Sequence, residues 1–306
     1  VKDIQAFFQT SPSRLPLALG GWQLGNRGWG KRWTFQELSN LLSLAFERGI
    51  HVIDTAPIYG FGESERQIGS CLQDVKGWRE HWWIITKAGL VWDTRGRITK
   101  NNHPKILLQQ TEESLKRLRT DVIDTLLVHW PDGKTQEEEI IEAVLKLLQS
   151  GKTKSVGLSN WSLSSLKRIC ELSPDLIQVT QSVCNLLEPP PSSWQTFHKD
   201  HGILHMGYSP LAQGLLSGKH AYPIALSKKD CRRFNPFFSD PDKLQEARHL
   251  INHIQEQNPG RSLKDLALQF ARSHSDWVVL GVTSVAQLEE ATSMFRQWKP
   301  LAKKLL

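Results

Sequence analysis

Asp54, Tyr59, Lys87 and His129 can each hold or move a proton, and each ends or closely follows a short apolar run. Asp54 closes His51-Val52-Ile53, and Tyr59 follows in Thr55-Ala56-Pro57-Ile58-Tyr59-Gly60. Lys87 closes Trp83-Ile84-Ile85-Thr86, and His129 closes Leu126-Leu127-Val128. A phenol has a reference pKa of about 10, too weak an acid near neutrality, and a neighbouring ammonium favours its anion. At about 4 Å and an effective dielectric near 20, that attraction is ~4 kcal/mol, or about 3 pKa units before desolvation. Lys87 is therefore expected to acidify Tyr59, with Asp54 as the counter-ion that keeps Lys87 charged. His129 needs no charge: a neutral imidazole can donate a hydrogen bond to a carbonyl oxygen and steady the negative charge that develops there. Taken singly, a turn cap, an exposed phenol, a solvated strand end and a histidine near Pro131 are unremarkable. Their joint occurrence in this order points to carbonyl chemistry.

Four such groups meet only if strands run parallel and end at one rim. Short β-rich apolar runs occur at 15–22, 51–57, 82–89, 122–129, 153–159, 176–183, 203–209 and 276–282. Amphipathic helical stretches at 34–48, 104–118, 136–149 and 162–172 separate several of them, opened by Pro, Ser or Thr signals. Strand starts recur roughly every 23 to 40 residues until the last interval, the rhythm of βα units. Eight such units predict a single-domain (β/α)8 TIM barrel over residues 1–306, with its active site at the carboxyl ends of the strands. The span of about 211–261 is longer than one βα unit needs. It contains Gly214, Gly218, the segment from Asp230 to Pro236 and a helix-like stretch over 241–255, and a cofactor-covering loop is expected there. No Gly-x-Gly-x-x-Gly follows a strand and opens a helix, which disfavours a doubly wound dinucleotide fold.

Composition narrows the partners. Over 306 residues, 39% hydrophobic and 23% charged content is that of an ordinary globular protein. The net charge of +7 is scattered, as at Lys31-Arg32, Lys116-Arg117 and Lys228-Lys229, with no basic helix or aromatic RNA-binding motif. Nucleic acid is not expected, and a phosphate-bearing cofactor is a sufficient anionic partner. Four cysteines without a CxxC pair, no apolar run near 20 residues and no signal segment lead us to expect a cytoplasmic protein without a membrane partner. His249 and His253 share a helix face, but no intervening Glu or third ligand accompanies them, so no metal is expected.

Asp54-Thr55-Ala56-x-x-Tyr59-Gly60, Lys87 at the end of the third strand and Val128-His129-Trp130-Pro131 resemble the signatures of the aldo-keto reductase family. The resemblance continues through Val156-Gly157-Leu158-Ser159-Asn160-Trp161, Gln181, Asn185-Leu186-Leu187-Glu188-Pro189 and Tyr208-Ser209-Pro210-Leu211-Ala212-Gln213-Gly214. It spans about 15–291. It implies an NADP-dependent oxidoreductase that reduces a small-molecule aldehyde or ketone to an alcohol, with Tyr59, Asp54, Lys87 and His129 as the catalytic set.

It also implies a cofactor seat. Ser159, Asn160 and Gln181 would hydrogen-bond the nicotinamide carboxamide, and Tyr208 would stack on its ring. Ser209, Leu211, Gln213, Gly214, Leu215, Ser217 and Lys219 would lie along the pyrophosphate, with Arg232 in a further loop near the cofactor. Gly281, Thr283, Ser284, Gln287 and Glu290 would meet the adenosine and its 2′-phosphate. Many NADP-preferring relatives carry basic residues around Gly281 to Ser284 and at Gln287, where this chain is neutral. NADP (as NADPH) remains the first expectation, with NAD open. Trp22 and Trp130 would wall the substrate pocket, expected to be open because little sequence follows the helix containing Phe295. Two other readings stand beside this one. A cofactor-binding, redox-sensing subunit is less favoured by the intact four-residue set, and a hydrolase using Asp54 and His129 leaves Tyr59, Lys87 and Tyr208 unexplained.

Overall fold

The computed structural model describes residue 7 and residues 14–28, 31–74, 79–218, 226–228 and 230–298. Ten strands follow in chain order: β1 Leu17–Gly20, β2 Val52–Asp54, β3 Trp83–Ala88, β4 Leu90–Trp92, β5 Ile98–Lys100, β6 Ile123–Val128, β7 Thr153–Ser159, β8 Ile177–Val183, β9 Leu204–Tyr208 and β10 Trp277–Leu280. Eight of them close a parallel barrel in the order β1-β10-β9-β8-β7-β6-β3-β2. Each lies inside one of the eight runs expected from sequence, and helices separate them as a TIM barrel requires.

The strands divide their side chains between two apolar layers by simple alternation. Ala18, Val52, Ile85, Leu127, Val179, Met206 and Val279 form a cluster inside the barrel. Their neighbours Leu19, Ile53, Ile84, Leu126 and Val278 belong to the larger layer beneath the helices. Two residues beyond Val52, Ile85, Leu127, Val179 and Met206 stand Asp54, Lys87, His129, Gln181 and Tyr208. The period of two therefore carries all five to the same inward face, one layer nearer the mouth.

Local signals set the helices. Thr34 and Glu37 form a reciprocal capping box at the start of Phe35–Glu47, Pro104 occupies the first turn of Pro104–Leu118, and the Ser162 hydroxyl caps Leu163–Leu172. The 211–261 span includes the helix-like stretch expected over 241–255. It holds short 3-10 turns at Ala212–Ser217 and Cys231–Phe234, then a 17-residue helix, Pro241–Gln257. Asp240 caps that helix, Pro241 opens it, and Ala247, Ile251 and Ile254 bury its apolar stripe. The β4–β5 hairpin was not anticipated, because Ile98, Thr99 and Lys100 are all exposed and show no alternating apolar pattern. Among the described residues no helix is long and apolar enough to cross a membrane.

Between barrel and helices lies a stacked histidine pair. The His198 and His205 rings are 5.2 Å apart and 20° from parallel, each within 2.9 Å of a hydroxyl from β8, Thr180 and Ser182 respectively. Burial pushes His198 down to about 3, and burial also lowers His205. An unfolded chain binds protons near pH 6.5 that these folded rings refuse, so stability must fall as pH drops through that value. At pH 4 the His198 contribution alone is about 3 kcal/mol. Denaturant unfolding at pH 7 and pH 4 should show His198→Leu losing less stability on acidification than the parent by about that amount. An equal loss in both proteins would remove this pair as the cause.

Candidate active site

A buried ion pair occupies the centre of the mouth. The Lys87 ammonium donates to both Asp54 carboxylate oxygens, at 2.7 and 2.8 Å, and to the Thr55 carbonyl at 3.0 Å. Its three N–H groups are thus all engaged. Lys87 is 0% exposed and Asp54 3%, so each ion has left water and depends on the other. Gln181 adds a third donor to the carboxylate, its Nε2 lying 2.7 Å from Asp54 Oδ1. Behind β3, the Glu65 carboxylate accepts from Thr86 and Arg117, each at 2.6 Å.

Tyr59 is set above this pair by the turn after β2. A Cβ at Gly60 (φ +64°) would collide with the Gly25 carbonyl, so only glycine lets the Trp22–Gly25 turn pack directly against the Tyr59 loop. Trp22 then lies on the Tyr59 ring, centroids 6.0 Å apart and planes 20° from parallel. His129 meets the same ring edge-on at 6.1 Å and 83°, and the Lys87 ammonium is 5.2 Å from its centroid.

The electrostatics correct one expectation. Tyr59 is raised well above the ordinary phenol value by burial first, then by Asp54 and Tyr208. Any pull from Lys87 is outweighed in the resting protein, because burial and the Asp54 carboxylate favour the neutral phenol more strongly. The phenol consequently keeps its proton throughout the neutral range. Lys87 itself is lowered by burial, against the opposing pull of Asp54 and Glu65. His129 is pushed well below its usual value by burial and then by Lys87, which leaves the neutral imidazole anticipated from sequence.

A second hydrogen-bonded group adjoins the first. Tyr208 donates to Asn160 Oδ1 at 2.7 Å, and Asn160 Nδ2 donates to Ser159 Oγ at 3.0 Å and to the His129 carbonyl at 3.1 Å. Asn160 itself is left-handed (φ +64°), as is Ser209 (φ +53°), whose carbonyl accepts from Asn185 Nδ2 at 3.2 Å. Beyond them Ala212, Gln213 and Gly214 form a run of positive φ, Leu215 packs into the core, and Ser217 bonds back to the Gly214 carbonyl. Gln213 Oε1 is buried without a hydrogen-bond partner among the described residues. Lys219 lies outside the described residues.

The remaining expected residues are distributed differently. Asp230 clasps Arg232 at 2.7 and 3.0 Å, so that guanidinium is already engaged. Gly281 lies under the end of the Gln23 side chain, which would have to move aside for a Cβ. Gln287 Oε1 accepts from Thr283 N at 2.8 Å and from its hydroxyl at 3.2 Å, while Ser284 caps the helix Val285–Arg296. Glu290 pairs with Lys264, a cation that sequence reading missed. The two stand on different helices with no spacing pattern to join them. Trp130 turns toward the hairpin: the Lys100 ammonium sits 4.6 Å from its ring, and Asn102 donates to its carbonyl. Of the two tryptophans expected at the pocket, Trp22 is the one whose ring stacks on Tyr59.

Known proteins give this geometry its relatives. The model of the Aldo/keto reductase family matches residues 16–303. Aldo-keto reductase YhdN of Bacillus subtilis (strain 168) is 32% identical over 289 residues, which is 92% of this chain and 85% of the relative. The NADH-specific methylglyoxal reductase of Escherichia coli (strain K12) is 30% identical over 216 residues, 66% of this chain and 65% of the relative. The solved glycerol dehydrogenase AKR11B4 from Gluconobacter oxydans aligns with a TM-score of 0.78 at 27% identity, covering 96% of this chain and 91% of that one. The family match spans every barrel strand together with Asp54, Tyr59, Lys87 and His129, and on that basis the chain belongs to the aldo/keto reductase family.

Proposed function

We propose that this protein, an oxidoreductase of carbonyl compounds by family, reduces a small aldehyde or ketone to the alcohol with NADPH, Tyr59 supplying the proton. The observation that carries this reading is the partly buried Tyr59 phenol, held between Trp22 and His129 above a fully hydrogen-bonded Asp54–Lys87 pair. The donor set fits a nicotinamide cofactor. Ser159, Asn160 and Gln181 offer amide and hydroxyl groups beside Tyr208, and the buried, unpartnered Gln213 Oε1 is an acceptor that a bound polar group would satisfy. When bound, the nicotinamide supplies the hydride.

The chain's own residues supply the rest. Tyr59 hands its proton to the carbonyl oxygen as negative charge builds there. Lys87, 5.2 Å from the ring centroid, then stabilises the phenolate left behind, a benefit gained only as the proton leaves. Neutral His129 donates a hydrogen bond that orients the substrate oxygen. Trp22 restricts the Tyr59 ring and forms one apolar wall. At the adenosine end, Thr283, Ser284 and the N-terminus of Val285–Arg296 can receive a phosphate. The Escherichia coli relative is named for NADH, so NADH is the necessary comparison. Four free cysteines suit a reducing compartment such as the cytoplasm.

Purified protein should consume NADPH when given a small aldehyde, followed by absorbance. Tyr59→Phe should lower kcat by roughly 10²- to 10⁴-fold with the cofactor Kd nearly unchanged. A near-parental rate would remove Tyr59 from the acid role, and failure to bind either NADPH or NADH in a fluorescence titration would overturn the reading. Because His129 is shifted downward, its ring should stay neutral as pH falls through 6.5. NMR of the imidazole, assigned with His129→Gln, should show no midpoint between pH 5.5 and 7.5, whereas one near the free value of about 6.5 would contradict a buried neutral ring.

A further inference from the structure

Gln181 matches a family residue expected to touch the nicotinamide, yet its side chain reaches into the proton-handling group. It stands on β8, inward-facing, two residues beyond Val179 and 2% exposed. Its backbone is fixed between Ser159 of β7 and Met206 of β9. Its Nε2 donates at 2.7 Å to Asp54 Oδ1, the oxygen that also takes the 2.7 Å bond from Lys87. The amide orientation is chemically forced, since a carboxylate accepts and cannot donate.

We propose that Gln181 is a positioning residue for proton transfer, fixing the Asp54 carboxylate so that Lys87 is held in one place beneath Tyr59. The lysine alone cannot do this. Its ammonium ends a flexible stem, and the two oxygens of one carboxylate can turn about their own bond while still facing it. Gln181 approaches from the other side of the mouth and is anchored by two neighbouring strands, so it sets that rotation. With Nε2 committed to Asp54, Oε1 is the atom left for a ligand amide. One side chain thereby joins the cofactor seat to the ion pair. This role deepens the reductase reading and rests on it for its kinetic consequence, but not for its structural one.

Strand alternation turns Asp54, Lys87, His129 and Tyr208 to the same mouth as Gln181, with Tyr59 on the turn above them, and Gln181 donates its hydrogen bond to the Asp54 carboxylate. Gln181→Glu therefore sets a second carboxyl against Asp54 Oδ1, and two carboxyls that close share a proton. Below the midpoint of that shared proton, its O–H replaces the lost N–H donor. Above it, the two charges repel and the carboxylate turns away. In cofactor-free protein, carbon NMR of the introduced carboxyl should show it titrating at least 2 units above the ordinary glutamate value of about 4.3. A midpoint near the ordinary value would separate the two side chains and overturn the proposal, whatever the protein's activity.

In turnover at saturating NADPH, Gln181→Glu should approach the parental kcat on the acid side and lose roughly 10- to 100-fold as pH rises past that midpoint. Gln181→Met, which keeps the volume and removes the donor, should lose a similar factor in kcat at every pH with KM for the aldehyde nearly unchanged. If both variants merely weaken cofactor binding and retain the parental pH profile at saturation, Gln181 is a cofactor contact only and the proposal fails. Absence of turnover in the parent protein would count against the reductase reading instead, while the NMR titration would still decide the Gln181–Asp54 contact.

Discussion

The structure depends on an ammonium and a carboxylate kept out of water at the mouth of a barrel. An ion so buried is tolerable only when every donor and acceptor has a partner, and removing one partner of such a pair typically costs about 3–5 kcal/mol. Lys87 meets this demand with two bonds to Asp54 and one to Thr55 O, and Asp54 with a further bond from Gln181. Asp54, Lys87 and Gln181 come from three strands distant in sequence, and Thr55 directly follows Asp54. Only a closed sheet with fixed register brings them together. The fold is therefore as much a device for satisfying this pair as for burying apolar surface.

Much of this was legible in the sequence because strand alternation is a strict rule. The eight apolar runs contain the eight barrel strands, and Asp54, Lys87 and His129, the polar residues expected at strand ends within runs 51–57, 82–89 and 122–129, are among those that face inward at the mouth. Other features carry no such mark. The β4–β5 hairpin lies on the surface, where patterning is weak. The Lys264–Glu290 and Glu65–Arg117 pairs join residues from separate helices, and no local spacing announces them. The direction of the Tyr59 shift was missed for a different reason. A two-body Coulomb estimate between Lys87 and Tyr59 omits both burial and the carboxylate that already holds the ammonium, and those two effects win.

That correction changes how the proposed chemistry works. A tyrosine acidified at rest would lose its proton before substrate arrived. A phenol held neutral retains it, and Lys87 offsets part of the cost of forming the phenolate. The same economy of design separates the two ends of the proposed cofactor seat. Near Tyr59, left-handed Asn160 and Ser209 and the Tyr208–Asn160 bond set donors rigidly. At the adenosine end, Thr283, Ser284 and Gln287 are neutral and bonded to one another, and Lys264 is paired with Glu290. The reacting end is thus built tightly, and the end that would distinguish NADP from NAD relies on a helix terminus and few charges.

Whether Asp54 and Lys87 act as one unit is tested most directly by a double-mutant cycle, with Asp54→Asn, Lys87→Met and the double variant compared in single-turnover hydride transfer. Interdependence predicts that either single substitution removes nearly the whole effect, so that the double variant is little slower than the worse single one. Losses that multiply independently would contradict a shared role and leave Tyr59 without its support.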